Sequence, residues 1–414
     1  MKSTDAAQRL PLRAAITVFG VFALAYFISA LLRAITATLA PVLSTELSLQ
    51  ASDLGLLAGG YFLGFAATQL PLGHWLDQHG PRRVILFFLS LAVLGCLAFA
   101  WADSFAGLMA ARVLIGAGVS ACLMAPLTGY RRWLDAGTQL RANAWMLMTG
   151  SFGMLGATLP VQWLMPWVGW RGLFVGLAGL LLLSMVLIAR HAPGWQAAPP
   201  EAAAAAPRGG AYAEVWRHPY FRKMLWIGFF VYGGMVSIQT LWAGPWLVRV
   251  TGQTPAQAAG GLFAINLAML LTFWAWGWLM PHLSRRGWRV ETIIAWGMPV
   301  HLGVLALIIA LGEQASWPHW ALFCVTATVT SLAQPAVAQA FKPAMAGRAL
   351  SAFNLVIFAG IFVVQWGLGL LIDAFMALGW AEVAAFRGAM AVFLAVGVAS
   401  YAAFLAVQAH NRPS

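Results

Sequence analysis

The feature that most constrains this chain is a succession of twelve long apolar runs, at about 15–43, 52–73, 83–102, 105–129, 142–166, 170–190, 221–248, 258–281, 290–312, 318–341, 349–373 and 384–408. A helix crosses the hydrocarbon core of a bilayer with about 20 apolar residues, and each run reaches that length. Lipid offers no partner for a backbone N–H or C=O, so a spanning segment must satisfy its own as a helix unless it closes into a barrel. Runs this long are helical in character. The composition agrees, at 61% hydrophobic and 9% charged residues. The fold class expected is an all-α membrane protein with twelve transmembrane helices.

The polar stretches between the runs sort by charge. With the N-terminus placed in the cytoplasm, 19 of the 24 Lys and Arg residues fall on that side, among them Arg82, Arg83, Arg131, Arg132, Arg285, Arg286 and Arg289. Only Arg171, Arg249 and Arg387 fall on the other, and Arg33 and Arg112 lie inside runs. This is the positive-inside pattern, and one miscounted span would scramble it. It accounts for the formal charge of +12 without a nucleic-acid partner. Arg9 and Arg13 precede a long first run with no small-residue cleavage site, so that run is read as a retained span and not a signal peptide. Arginine outnumbers lysine 21 to 3 and no N-x-S/T sequon occurs, which suits a bacterial inner membrane. Cys96, Cys122 and Cys324 all sit inside apolar runs and imply no disulfide framework.

Residues 191–220 interrupt the pattern with Pro193, Gly194, Pro199, Pro200, an alanine run and Pro207-Arg-Gly-Gly. They read as a cytoplasmic linker between an N-terminal six-helix bundle, 1–190, and a C-terminal one, 221–414. A short amphipathic piece, Tyr212 to His218, is expected on the membrane surface. The halves echo each other: Val161-Gln162-Trp163 with Val364-Gln365-Trp366, Arg171-Gly172 with Arg387-Gly388, and Pro126 with Pro335. Two pseudo-symmetric halves with a site at mid-membrane are the repeat logic of secondary carriers.

Between the second and third runs stands Gly73-His-Trp-Leu-Asp77-Gln-His-Gly80-Pro-Arg82-Arg83. A plain turn at the membrane face accounts for the two arginines, which lipid phosphates attract. It does not demand Asp77 with Gly73 and Gly80 at this spacing. The stretch resembles the loop signature of the major facilitator superfamily, G-x-x-x-D-x-x-G-x-R-R, at the position where that family carries it. The resemblance implies two six-helix bundles that rock about a central site, with Gly73, Asp77, Gly80, Arg82 and Arg83 as a conformational latch. The corresponding stretch of the second half, Gly277 to Arg289, is degraded, with Pro281 where the acid would stand.

A charge at mid-membrane costs roughly 2.5–3.5 kcal/mol on insertion scales unless it faces a cavity or a partner. Arg33 is such a charge, and Tyr26, Ser29, Arg33 and Thr36 share one helical face. The resemblance places helices 1, 4, 7 and 10 around the cavity, so this face is expected to bind substrate, with Arg33 as an anion site. The alternative is an arginine bonded to carbonyls that fixes packing. Arg112, in Arg112-Val-Leu-Ile-Gly116-Ala-Gly118, resembles the family's second motif, R-x-x-x-G-x-G, and has either a coupling or a structural role. In the other spans Tyr232, Gln239, Asn354, Gln162 and Gln365 are candidate substrate contacts, and Trp242 of the seventh span and Thr326, Thr330 and Gln334 of the tenth are further candidates. Gln162 and Gln365 fit interhelical bonding equally well. His301 is expected to be structural.

None of the twelve acids lies at mid-membrane. A carrier with buried positive charge and no buried carboxylate favours a small organic anion, moved with protons or in exchange for a counter-anion. The alternative is proton-driven efflux of drug-like or amphipathic compounds, which the tryptophans and methionines suit. Against it, the run Gly150 to Pro160 has no Gly-Pro pair of the kind the antiporter motif carries. No nucleotide loop, metal-ligand cluster or nucleophile–base pairing is present in the sequence, so no enzyme, cofactor or metal is expected. The partners expected are the substrate, the coupling species and the bilayer.

Overall fold

The computed structural model describes residues 10–195 and 211–410. Linker residues 196–210, with Pro199, Pro200 and Pro207, lie outside the described residues. Among the described residues there is no strand. The helices are α1 (Leu12–Leu47), α2 (51–79), α3 (81–101), α4 (Phe105–Trp133), α5 (136–168, irregular at 157–158), α6 (170–191), α7 (Pro219–Val250), α8 (Pro255–Arg285), α9 (Val290–Gln314), α10 (Trp317–Gln339), α11 (Pro343–Ala377) and α12 (Glu382–His410). Among the described residues, ten helices are long and apolar enough to cross a membrane. A short helix, Ala211–Arg217, precedes α7, and its Val215 is fully buried while Trp216 packs edge-on against Phe221.

The connections are built by residue chemistry that the sequence displays. The helical path from α2 to α3 breaks at Gly80, whose φ of +77° is left-handed, a conformation that costs glycine nothing and other residues much. A Cβ there would also run into the ring of Trp195. In the second half the matching loop is shorter than the stretch Gly277 to Arg289: α8 continues to Arg285, so Gly277 and Pro281 are helical. Gly287 nevertheless keeps the same left-handed turn, with φ +80°. The degraded copy has lost the acid and kept the glycine that reverses the chain. Gly169 and Gly379 form a second matched pair, between α5 and α6 and between α11 and α12. At the start of α5, Asp135 caps the helix, its Oδ1 accepting from Thr138 N at 3.0 Å. Hydrogen bonding from Thr138 holds its carboxyl below the usual carboxylate range.

By packing, the described residues fall into two compact units, 10–33 with 63–195, and 34–62 with 211–410. In lipid no hydrophobic force draws helices together, so contact depends on close approach at small residues. In the first unit Gly153 of α5 lies against the Phe27 carbonyl of α1, Gly64 of α2 against Val113 of α4, and Gly118 of α4 against Ala92 of α3. In the second unit Gly360 of α11 lies against Phe229 of α7, and Gly244 of α7 against Ala37. Enclosure differs between helices: 67% of the most apolar stretch of α7 is buried and 61% of those of α1 and α4, against 28% of that of α12. The ranking puts α1, α4 and α7 inside and α12 outside. α3, at 56%, ranks above α10, at 50%, although the resemblance places α10 at the cavity.

Candidate substrate site

The first unit holds the polar face of α1. Tyr26 and Ser29 are buried and Arg33 is half-buried. Their setting follows from the glycines of α5: a Cβ on Gly150 would come within 2.7 Å of the Tyr26 ring, so a glycine there is what admits the aromatic side chain. Ser29 Oγ donates to the Val119 carbonyl at 3.5 Å, which ties α1 to α4. The Arg33 guanidinium stands 5.9 Å from the centroid of the Phe65 ring, a cation–π separation. Arg112 is 1% exposed, and its Nη1 donates to the Leu32 carbonyl at 3.0 Å. The second motif's arginine therefore anchors the backbone one residue before Arg33. That contact is the structural alternative described above, and it also fixes the height at which Arg33 leaves α1.

In the second unit the candidates are drawn together by α7. This helix widens into π-helical turns at Ile227–Tyr232, Ile238–Trp242 and Trp246–Val250, and such turns concentrate at functional positions. Within the middle one, neighbouring residues serve two different helices. Gln239 Nε2 donates to Asn266 Oδ1 of α8 at 2.9 Å, and Asn266 Nδ2 donates to the Leu262 carbonyl. Thr240 Oγ1 accepts from Gln365 Nε2 of α11 at 2.9 Å, while Trp242 Nε1 donates to the Gln365 carbonyl at 3.1 Å. Gln365 is fully buried, and its Oε1 has no hydrogen-bond partner among the described residues. Asn354 accepts a short hydrogen bond from Gln334 of α10. Tyr232 is half-buried on α7, and Gln162 is half-buried on α5. The Val-Gln-Trp echo thus places one glutamine in a network and leaves its counterpart at the edge of its unit.

Two participants were not singled out in the sequence, Asn266 and Thr240. A lone amide inside the apolar run Leu262-Phe-Ala-Ile-Asn266-Leu was the available signal for the first. Thr240 carried none, since threonine in a helix ordinarily bonds its own turn, as Thr240 also does to Val236. His301 is buried, faces Thr326 Oγ1 at 3.4 Å and lies against the Phe323 ring, a packing position between α9 and α10. Trp163, next to Gln162 on α5, is 67% exposed. The signature loop has Arg82 bonded to the Ala189 carbonyl and Arg83 exposed. Gly73 has open space around it. The side chain of Asp77 lies outside the described residues.

The family model of the Major Facilitator Superfamily matches residues 22–365. The chain is 26% identical to the 4-hydroxybenzoate transporter of Acinetobacter baylyi over 70% of this chain and 69% of that one. It is 27% identical to the gallate transporter of Pseudomonas putida over 92% and 88%. A probable sulfoacetate transporter of Cupriavidus necator is 27% identical over 40% of this chain, and the chain spans 38% of the length of that relative. Among solved structures, a bacterial homologue of the human lysosomal transporter Spinster, crystallised in an inward-facing and unoccupied conformation, superposes with a TM-score of 0.79. Its identity is 18%, with 98% of this chain and all of that one covered. At that identity the likeness is one of fold.

Proposed function

Because the chain belongs to the Major Facilitator Superfamily, a family of transporters and not of enzymes, we propose that it is a secondary carrier of a small organic anion. It works by alternating access, coupled to protons or to a counter-anion. The observation that carries the reading is Arg33, a mid-helix charge half-buried beside Tyr26 and Ser29 in a chain whose apolar runs hold no central carboxylate. A charge at this depth is costly unless it faces a cavity or a partner, and a substrate carboxylate meets an arginine there in a bidentate, charge-assisted way. The named relatives support the class: their names specify 4-hydroxybenzoate, gallate and sulfoacetate, all anions near neutral pH. The efflux alternative draws no support from them.

In this reading Tyr26, Ser29 and Arg33 hold the carboxylate. Gln239, Gln365, Asn354, Tyr232 and Gln162 are the candidates for reading the rest of the acid, with Gln365 Oε1 an acceptor suited to a substrate hydroxyl. Arg112 positions Arg33. The bundles that rock are 1–190 and 221–414, joined by 191–220. Gly73, Asp77, Gly80, Arg82 and Arg83 latch one state, and the termini are cytoplasmic in a bacterial inner membrane. The direct test is a thermal-shift screen of the purified protein against aromatic and aliphatic carboxylic acids and against cationic dyes. Stabilisation by hydroxylated aromatic acids is expected, since a bound ligand raises the melting temperature by mass action. Stabilisation by the dyes alone would overturn the anion reading.

A further inference from the structure

The helix α8 changes character along its length. Its first half packs, with Ala258, Leu262, Ile265, Asn266 and Met269 buried. From Leu271 to Arg289 no residue is buried. Trp276 still holds α10 there, its Nε1 donating to Thr328 Oγ1 at 2.8 Å. On the side of α8 away from that bond runs an exposed stripe at three- and four-residue spacing: Leu271, Trp274 (69% exposed), Trp278 (65% exposed), His282 and Arg285. The His282 ring lies against that of Trp278, with centroids 4.9 Å apart.

The stripe changes chemistry in step with depth. It starts on an aliphatic side chain, passes two amphipathic rings of the kind that collect near lipid headgroups, and ends on Arg285 with Arg286 beside it. Leu271 and Arg285 are 14 residues apart, or about 21 Å along the helix. Half of a bilayer with its headgroup layer has that thickness, about 20–22 Å.

Charge points the same way. Glu291 is the only acid between Glu214 and Glu313, and it is engaged with Tyr220 and Lys223 at the start of α7. Among the described residues Arg285 and Arg286 stand in no ion pair. Arg285 donates its Nε to the Pro281 carbonyl at 3.3 Å, which leaves its two Nη groups. The last carbonyls of α8 are taken by the N–H groups of Arg286, Gly287 and Trp288. The helix end therefore presents its arginines and not its orphan acceptors. In the first half Arg82 differs, since it bonds the Ala189 carbonyl.

From this we infer that the arginine-bearing half of α8 is a binding site for one anionic phospholipid. The phosphate lies on Arg285 and Arg286, which bind it with charge-assisted hydrogen bonds. The glycerol region lies on Trp278, and an acyl chain runs along Trp274 and Leu271. A second copy of the chain fits this face less well. A two-fold interface sets the same patch of both copies together, and in a membrane it does so at equal depth, so Arg285 and Arg286 would meet like charges.

The test is native mass spectrometry of the full-length protein, titrated in detergent with phosphatidylglycerol or with phosphatidylcholine of the same acyl chains. The native chain should bind one phosphatidylglycerol about tenfold more tightly than phosphatidylcholine, since each basic residue near an anionic lipid contributes several-fold. Arg285→Gln with Arg286→Gln should bring the two lipids level. Arg217→Gln with Arg222→Gln removes as much exposed charge and should leave the preference intact. Trp274→Ala with Trp278→Ala should weaken both lipids by a similar factor. Where the first double variant does not fold, a photoactivatable phosphatidylglycerol on the native protein decides, and its adducts should concentrate in 271–289. Equal affinity for the two lipids in the native chain would overturn the site. So would equal loss of preference in both arginine variants, adducts spread evenly over the basic loops, or dimers that carry no lipid. No substrate enters the measurement, so its outcome is independent of the anion reading.

Discussion

At the scale of single residues, two buried polar groups stand out by what they bond. Arg112 spends one of its donors on the Leu32 carbonyl, which makes it a scaffold for the residue that follows Leu32. Gln365 uses its amide on Thr240, and its Oε1 has no partner among the described residues. A buried acceptor without a donor loses its hydration with nothing in return, and a substrate hydroxyl restores the balance. Replacing Gln365 with Leu should therefore erase any preference for 4-hydroxybenzoate over benzoate, a change of about two- to tenfold for one neutral hydrogen bond. Binding of benzoate itself should stay nearly constant. Competition assays with the two acids check this, and a retained preference would remove Gln365 from the recognition of hydroxyls. The sequence displayed Gln239 and Gln365 as polar residues in apolar runs, but not their partners. Spacing tells which side chains share a helix face; it does not tell which neighbouring helix that face meets. Asn266 and Thr240 became visible only when α8 and α11 were placed beside α7.

At the scale of elements, the helices were the most legible part of the chain, because lipid allows few alternatives to a long apolar helix. The signature loop was legible for a second reason: Gly80 sits where the backbone needs φ +77°. The degraded copy was harder to read. Its loop is shorter than its motif residues imply, and only Gly287 marks the equivalence. What the latch does in the cycle is tested by Asp77→Asn. Removing one charge at the end of α2 should leave the protein folded and inserted but slow transport several-fold, because one state loses an ion pair. Transport rates at matched expression, with folding checked by size exclusion, decide the point. An unchanged rate would take the latch role away from Asp77. The hydrogen bonds that the Asp373 carboxylate of α11 accepts from Ala51 N and Ser52 N at the start of α2 were not legible in the sequence at all. Asp373 read there as one more acid near a span end, since a contact across more than 300 residues leaves no local signal.

At the scale of the whole molecule, the charge asymmetry of the loops predicts an orientation. A reporter fused after Ser414, or inserted within 195–210, should be cytoplasmic. Either one on the outside would mean a miscounted span. The central claim is narrower: Arg33 is the counter-charge of the transported anion. Uptake and binding of 4-hydroxybenzoate, or of the best acid from the screen, in proteoliposomes of the native, Arg33→Lys and Arg33→Gln proteins measures it. A charge-assisted contact is worth about 1.5–3 kcal/mol, so Arg33→Gln should bind roughly ten- to a hundredfold more weakly with its melting temperature nearly unchanged. Arg33→Lys should retain part of the affinity through its charge, without the planar two-pronged fit. Equal affinity in all three proteins would contradict the account and leave Arg33 a packing residue.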